Sequence, residues 1–258
     1  MQHTDPSNAG RHEPATTLLE SFDSWAQLLR HRESQRGPSA GAHAVDQPRP
    51  PAVPEALPYR PLLRRPLALL HVVDDGHEDG ETIRLRADRF EIGRTDGDVT
   101  IPHDISMSTR HAMLECGPGG TWLLSDAGSA GGTYVRVMAA RLHDGSCLQL
   151  GSSKLRFDAA DGSEPALVEL VPDGVGPRHA CSGPLTTIGR AGGGCDVQIG
   201  DPFISPIHAE LHAAAGAWRI ENRGLNGLWV RISGPVKLTH PAQFMCGEQR
   251  FVFVPLGE

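Results

Sequence analysis

Two short segments of this chain have the residue types and spacing of an anion clamp. Ile92-Gly93-Arg94 is followed, after a turn, by Ser108-Thr109-Arg110-His111, and Ile188-Gly189-Arg190 is followed by Ser205-Pro206-Ile207-His208. A guanidinium is always charged and presents paired donors that match a phosphate. A serine hydroxyl and loop N–H groups add neutral donors, and a glycine beside the arginine lets backbone approach without a Cβ in the way. If each arginine and serine meet at one edge of a sheet, two or three charge-assisted bonds at roughly 1.5–3 kcal/mol each, with main-chain contacts, reach about 8 kcal/mol, the micromolar range. That strength suits a reversible switch. The competing roles are structural: Asp98 and Asp196 stand close enough in sequence to pair with the arginines, and the serines can serve as turn hydroxyls.

Other chemistries are poorly served. No GxSxG elbow, GxxxxGK[ST] loop or HExxH helix occurs, so the sequence carries no enzyme signature. His208 and His212 fall on one face of a strand but lack a third metal ligand. The run Asp74 to Asp79 lacks the DxDxDG spacing of a calcium loop and reads as a solvated turn. Five scattered cysteines without a CxxC argue against a disulfide framework or structural zinc, and for buried thiols in a reducing cytoplasm. No cofactor is expected. A net charge of −7 and a pI near 6.0 disfavour nucleic acid and anionic membrane surfaces as partners. The apolar run Leu67–Val73 is far short of the ~20 residues that span a bilayer, so membrane insertion is not expected. The polar first residues show no apolar signal-peptide core.

The elements that must position the clamps are strands. Thr82-Ile83-Arg84-Leu85-Arg86 alternates with period two, Phe90-Glu91-Ile92 continues it, and turn pairs such as Asp96-Gly97 and Asp144-Gly145 recur. With 30 Gly and 21 Pro in 258 residues, the chain suits many short strands and tight turns. The pattern then repeats: besides the Gly-Arg and Ser-x-x-His segments, Asp98-Val99-x-Ile101 recurs as Asp196-Val197-x-Ile199, Trp122 as Trp218, and Gly132-x-x-Val135-Arg136 as Gly227-x-x-Val230-Arg231. The shift stays at about 95–98 residues, so two globular repeats stand in tandem and not a solenoid. The organisation expected is a disordered tail over 1–15, an amphipathic helix over 16–36 striped by Leu18, Phe22, Trp25 and Leu29, a Pro-rich linker over 37–66, repeats over 67–159 and 166–258, and a short linker at 160–165.

Gly-Arg, then Ser-x-x-His, then a Gly-bearing turn into an apolar strand resembles the forkhead-associated (FHA) domain, twice, over Leu67 to about Ala159 and Ala166 to Glu258. The resemblance implies an all-β fold of two tandem FHA-type β-sandwiches, each reading phosphothreonine through loops at one end. By that resemblance Arg94, Ser108, Thr109 and Arg110 in the first repeat, and Arg190, Ser205 and Asn226 in the second, form the phosphopeptide surfaces. Gly93, His111, Gly132, Gly189, His208 and Gly227 support the loops. The implied function is a non-enzymatic adaptor whose partner is a phosphothreonine-bearing protein, a Ser/Thr kinase or its substrate. The departures are specific. Gly131 stands where the family has its peptide-orienting Asn, and Thr109 where it has an Arg, with Arg110 one place later. In the second repeat Pro206 removes an N–H after Ser205, and Leu228 replaces a Thr. These losses motivate the alternative of a scaffold that binds unmodified proteins. The second repeat keeps the more complete set.

Overall fold

The computed structural model describes residues 18–19, 67–73, 80–160, 163–172 and 174–256. Among these the chain is almost wholly β, with no α-helix and one 3-10 turn at Pro118–Gly120. No helix among them is long and apolar enough to cross a membrane. The N-terminal tail, the Pro-rich linker and the Asp74–Asp79 run lie outside the described residues. So does the helix expected over 16–36, except at Leu18–Leu19, where the backbone is extended and pairs with Ala139 and Val137. There it takes ladder bonds in place of the marginal turns of a short helix.

In chain order the strands are β1 (Leu18–Leu19), β2 (Ala68–Val73), β3 (Thr82–Leu85), β4 (Arg89–Gly93), β5 (Val99–Thr100), β6 (Ala112–Cys116), β7 (Trp122–Asp126), β8 (Thr133–Leu142), β9 (Cys147–Leu150) and β10 (Ser153–Asp158). The second repeat continues with β11 (Ala166–Val171), β12 (Gly174–Ala180), β13 (Leu185–Arg190), β14 (Val197–Ile199), β15 (Ala209–Ala214), β16 (Ala217–Asn222), β17 (Leu228–Arg231), β18 (Val236–Leu238), β19 (Ala242–Cys246) and β20 (Gln249–Pro255). Period two is visible in the packing: Ala68, Leu70 and Val72 of β2 are buried, while Leu69, His71 and Val73 between them are half-exposed.

The compact units do not coincide with the sequence repeats. Among the described residues unit I is built from 67–133 together with Ile232 onward; unit II is Tyr134–Arg231 with the Leu18–Leu19 strand. In unit I, β2 pairs with β3 and β20, β20 pairs with β19, and a second sheet runs β18-β7-β6-β4-β5. In unit II the order is β12-β11-β10-β9-β17-β8-β16-β15-β13-β14. Strand β8 changes partner along its length, with Tyr134 to Val137 against β17 and Ala139 to Leu142 against β16. Each unit therefore takes its closing hairpin from the other repeat. The cores record the exchange: Trp122 meets Phe253 edge-on at 5.4 Å in unit I, and Trp218 meets Phe157 at 5.3 Å in unit II.

The sequence boundaries at 67–159 and 166–258 delimit repeats, then, and not folded bodies. The strands on either side of the linker expected at 160–165 belong to one body: β10 and β11 pair antiparallel, with Asp158 facing Ala166 and Phe157 facing Leu167. Loop-closure entropy explains the choice. Strand β10 reaches β11 across a few residues, whereas its own repeat's β2 lies most of a domain upstream.

Candidate functional site

In both units the predicted arginine and serine are brought together by their backbones. The Arg94 N–H donates to the Ser108 carbonyl at 2.9 Å, and the Arg190 N–H to the Ser205 carbonyl at 3.0 Å. Strand ends β4 and β13 thus sit directly against the serine loops. Such closeness demands glycine. A Cβ on Gly93 would drive into the Thr109 carbonyl oxygen, and one on Gly189 into the Pro206 carbonyl oxygen. Thr109 carries this packing through its carbonyl, which also accepts the Asp96 N–H at 3.1 Å.

His111 and His208 are fully buried and hold the loops. Nδ1 of His111 accepts the Ser108 N–H at 3.1 Å while Nε2 faces the Gly132 carbonyl at 3.2 Å. The second copy matches: Nδ1 of His208 accepts the Ser205 N–H at 3.0 Å, and Nε2 faces the Gly227 carbonyl at 3.0 Å. One nitrogen accepts and the other donates, so the neutral Nε2–H tautomer fits both sites. Each serine loop is thereby fastened to the loop carrying the downstream glycine. The serine hydroxyls complete the link, Ser108 Oγ accepting the Ala130 N–H at 3.0 Å and Ser205 Oγ accepting the Leu225 N–H at 3.3 Å. With its oxygen already accepting, each hydroxyl has its O–H to offer an anion.

Burial pushes the His208 imidazole below its ordinary 6.5; the Gly227 carbonyl and Asp201 favour the charged form but do not offset it, and Arg136 adds to the lowering. Above about pH 6.5 both folded and unfolded chains hold the ring neutral and the contribution to stability is complete. As pH falls, the unfolded chain takes the proton first, and stability is lost down through the depressed folded value. Protonation would also put a hydrogen on Nδ1, opposing the Ser205 N–H. An NMR titration of the His208 ring is expected to give a midpoint below 6.5, with unit II losing denaturant resistance between pH 7.5 and 5. A midpoint at or above 6.5 would contradict burial as the cause that governs this ring.

The competing ion pairs do not form. Asp98 accepts the Glu91 N–H at 2.9 Å, and Asp196 accepts the Thr187 N–H and hydroxyl at 2.8 and 2.7 Å. Among the described residues neither Arg94 nor Arg190 is in a salt bridge; Arg94 is half-buried and Arg190 exposed. Arg110 is placed differently: its guanidinium pairs with Glu91 at 2.8 Å, alongside Arg89. Asn226 lies on the β16–β17 loop, where its Nδ2 donates to the Phe203 carbonyl at 2.7 Å and its carbonyl accepts Trp229 Nε1 at 3.1 Å. Arg136 of β8 ties the same loop, donating to the Leu225 carbonyl at 3.2 Å. In the first site, where Gly131 replaces the asparagine, Asp126 does the bracing. It accepts the Gly128 and Ser129 N–H groups, the Ser129 hydroxyl at 2.6 Å and the Thr133 hydroxyl at 2.8 Å.

Two residues that position the site escape a reading of the sequence. Asp104 accepts the Ser106 N–H at 2.9 Å through one oxygen and the Glu248 N–H at 2.8 Å through the other. Asp201 accepts the Phe203 N–H at 2.8 Å and the N–H and hydroxyl of Ser152 at 2.7 and 2.8 Å. Burial works to raise the Asp201 carboxyl, but the bonds from Phe203, Ser152 and Ser153 together hold it below its ordinary value. Each carboxylate pins a serine loop to a turn borrowed from the other repeat. The signal was an aspartate four residues before each serine. His212 is not joined to His208. It lies with Glu210 and Glu221, the three ligand atoms within 4.8 Å of one another, but Arg223 pairs with both carboxylates at 2.7 and 3.1 Å. That cluster is a charge network in which Arg223, with Arg219 on Glu221 at 3.0 Å, offsets the two carboxylates.

A family model described as the FHA domain matches residues 90–151 and 186–247. No curated protein matches the chain. Among solved structures, the FHA domain of the CT664 protein from Chlamydia trachomatis is similar at 13% identity and a TM-score of 0.33, covering 74% of this chain and 98% of that one. Mycobacterium tuberculosis EmbR in complex with a low affinity phosphopeptide is similar at 13% identity and a TM-score of 0.33; 76% of this chain is covered, which spans 28% of the EmbR chain.

Proposed function

The chain carries two FHA domains in tandem, and from that premise we propose that it is a non-catalytic adaptor that binds phosphothreonine segments of partner proteins, a Ser/Thr kinase or its substrates among them. The observation that carries this reading is the Arg–Ser backbone bond in each unit, which brings the arginine and serine positions together, with neither arginine in a salt bridge among the described residues. Arg190, Ser205 and Asn226 form the stronger site, because Asn226 adds a main-chain-reading amide. The phosphate lies at an exposed rim, so binding weakens as salt rises.

Calorimetric titration of the full chain with a phosphothreonine peptide library tests it. Micromolar binding is expected, with none for the unphosphorylated peptides. Arg190→Ala and Ser205→Ala in an Arg94→Ala background are each expected to lower affinity more than tenfold, about 1.4 kcal/mol. Unchanged affinity in both would remove the site assignment.

A second reading has its own observation. In the first site Arg110 is held by Glu91 and glycine stands at 131, leaving fewer groups for a phosphopeptide. That site suits an unmodified protein partner. Capture of a partner by the Arg190→Ala chain that persists after phosphatase treatment would favour it.

A further inference from the structure

The two sites share their donors but not their rims. Around the second site, Phe203, Ile207 and Leu225 are 60%, 49% and 80% exposed. At the matching places of the first repeat stand Ser106, Arg110 and Ala130. The first rim has one large exposed apolar side chain, Ile105, at 85%, and Pro202 occupies its place in the second. Single exposed apolar residues are ordinary; three on two adjoining loops are a different matter.

These three belong to the backbone that builds the clamp. The Phe203 carbonyl is the acceptor for Asn226 Nδ2 at 2.7 Å, and the Leu225 N–H donates to Ser205 Oγ at 3.3 Å. Ile207 lies between Ser205 and the buried His208. None of the three is needed for the core of unit II, and none is covered by it. A peptide whose phosphate is held by Arg190 and Ser205 must run across these loops.

We propose that the second site is selective for phosphothreonine segments bearing a large aliphatic or aromatic side chain close to the phosphothreonine, and that Phe203, Ile207 and Leu225 are the specificity-determining residues. The proposal rests on the phosphothreonine reading given above. The first site, with Ser106, Ala130 and an Arg110–Glu91 pair on its rim, has no such preference, so one chain reads two classes of segment.

The test uses the full chain carrying Arg94→Ala, which leaves only the second site. The probes are an alanine-flanked phosphothreonine peptide and a set in which Leu or Phe replaces one alanine at a time within four positions on either side. At one or more positions the apolar residue is expected to raise affinity at least tenfold, about 1.4 kcal/mol. Exchanging the rim for that of the first repeat (Phe203→Ser, Ile207→Arg, Leu225→Ala) is expected to bring that ratio down to about twofold. Circular dichroism checks that the exposed substitutions leave the fold intact. Equal affinity for all phosphorylated peptides overturns the selectivity and leaves the phosphothreonine reading standing. Persistence of the full ratio in the exchanged rim overturns the residue assignment. Binding of none of them, or of the unphosphorylated peptides equally well, overturns the phosphothreonine reading and the selectivity with it.

Discussion

Truncation of the chain after Arg231 is expected to unfold unit I and abolish the Arg94–Ser108 site, while unit II keeps its fold and its site. The sequence repeats alone lead to the opposite expectation, because 67–159 would be whole and the second repeat damaged. The truncation removes β18, β19 and β20. With them go one of the two partners of β2, the Phe253 ring against Trp122, and the stacked pair Phe244–Phe251 at 5.0 Å. Phe244, Phe251 and Phe253 are all fully buried. Loss of one buried phenylalanine side chain typically costs about 3–5 kcal/mol, and a whole domain is stable by about 5–15 kcal/mol, so unit I cannot survive losing three. The Asp104 carboxylate loses its bonds from Glu248 and Gln249 as well. Unit II contains none of these residues. Hydrogen exchange is expected to show the amides of β6 and β7 unprotected in the truncated chain and those of β15 and β16 unchanged. Protection retained in β6 and β7 would mean that β9 and β10 close their own repeat instead.

Gly189→Ala is expected to destabilise unit II by about 3 kcal/mol and to weaken phosphopeptide binding there more than tenfold. The new methyl would press into the Pro206 carbonyl oxygen and lie 2.7 Å from the Cys195 sulfur. The Pro206 oxygen belongs to the backbone and cannot swing aside as a side chain could. Strand β13 must therefore pull back from the serine loop, and the Arg190 N–H bond to the Ser205 carbonyl at 3.0 Å lengthens or breaks. That bond holds the Arg190 position against the serine loop, so stability and affinity should fall together. Gly200→Ala is the control, since nothing lies within 4 Å of a Cβ built there. Denaturant midpoints and peptide titrations on both variants decide the matter. A Gly189→Ala chain that binds like the parent would show that the close approach is not what aligns the clamp.

Much of the site was legible because its signals are local. Gly93 beside Arg94 and Ser108 three residues before His111, repeated at 189–190 and 205–208, mark a close approach and a loop anchor through residue type alone. The repeat exposed both by keeping them in register. What lay beyond reach depended on partners distant in the chain: Asp104 and Asp201 look like ordinary turn residues until the turns at Glu248 and Ser152 arrive, and Arg110 looks like a phosphate ligand until Glu91 is seen beside it. The apolar rim likewise gathers exposed residues from two loops apart in the chain, Phe203 and Ile207 on one and Leu225 on the other.

The amino-acid order by itself determined the strands, the duplication and the paired Gly-Arg and Ser-x-x-His motifs, since alternation, turn residues and motif spacing act over short distances. Only the tertiary structure decided which closing hairpin completes which sandwich. Cys147–Asp158 and Ala242–Pro255 are copies that place apolar residues at the same inward positions (Leu148, Leu150, Leu155 and Phe157; Phe244, Cys246, Phe251 and Phe253), so alternation alone cannot choose between them. The short connection that folds β10 onto β11 makes the choice, because the nearer edge costs less chain entropy to reach.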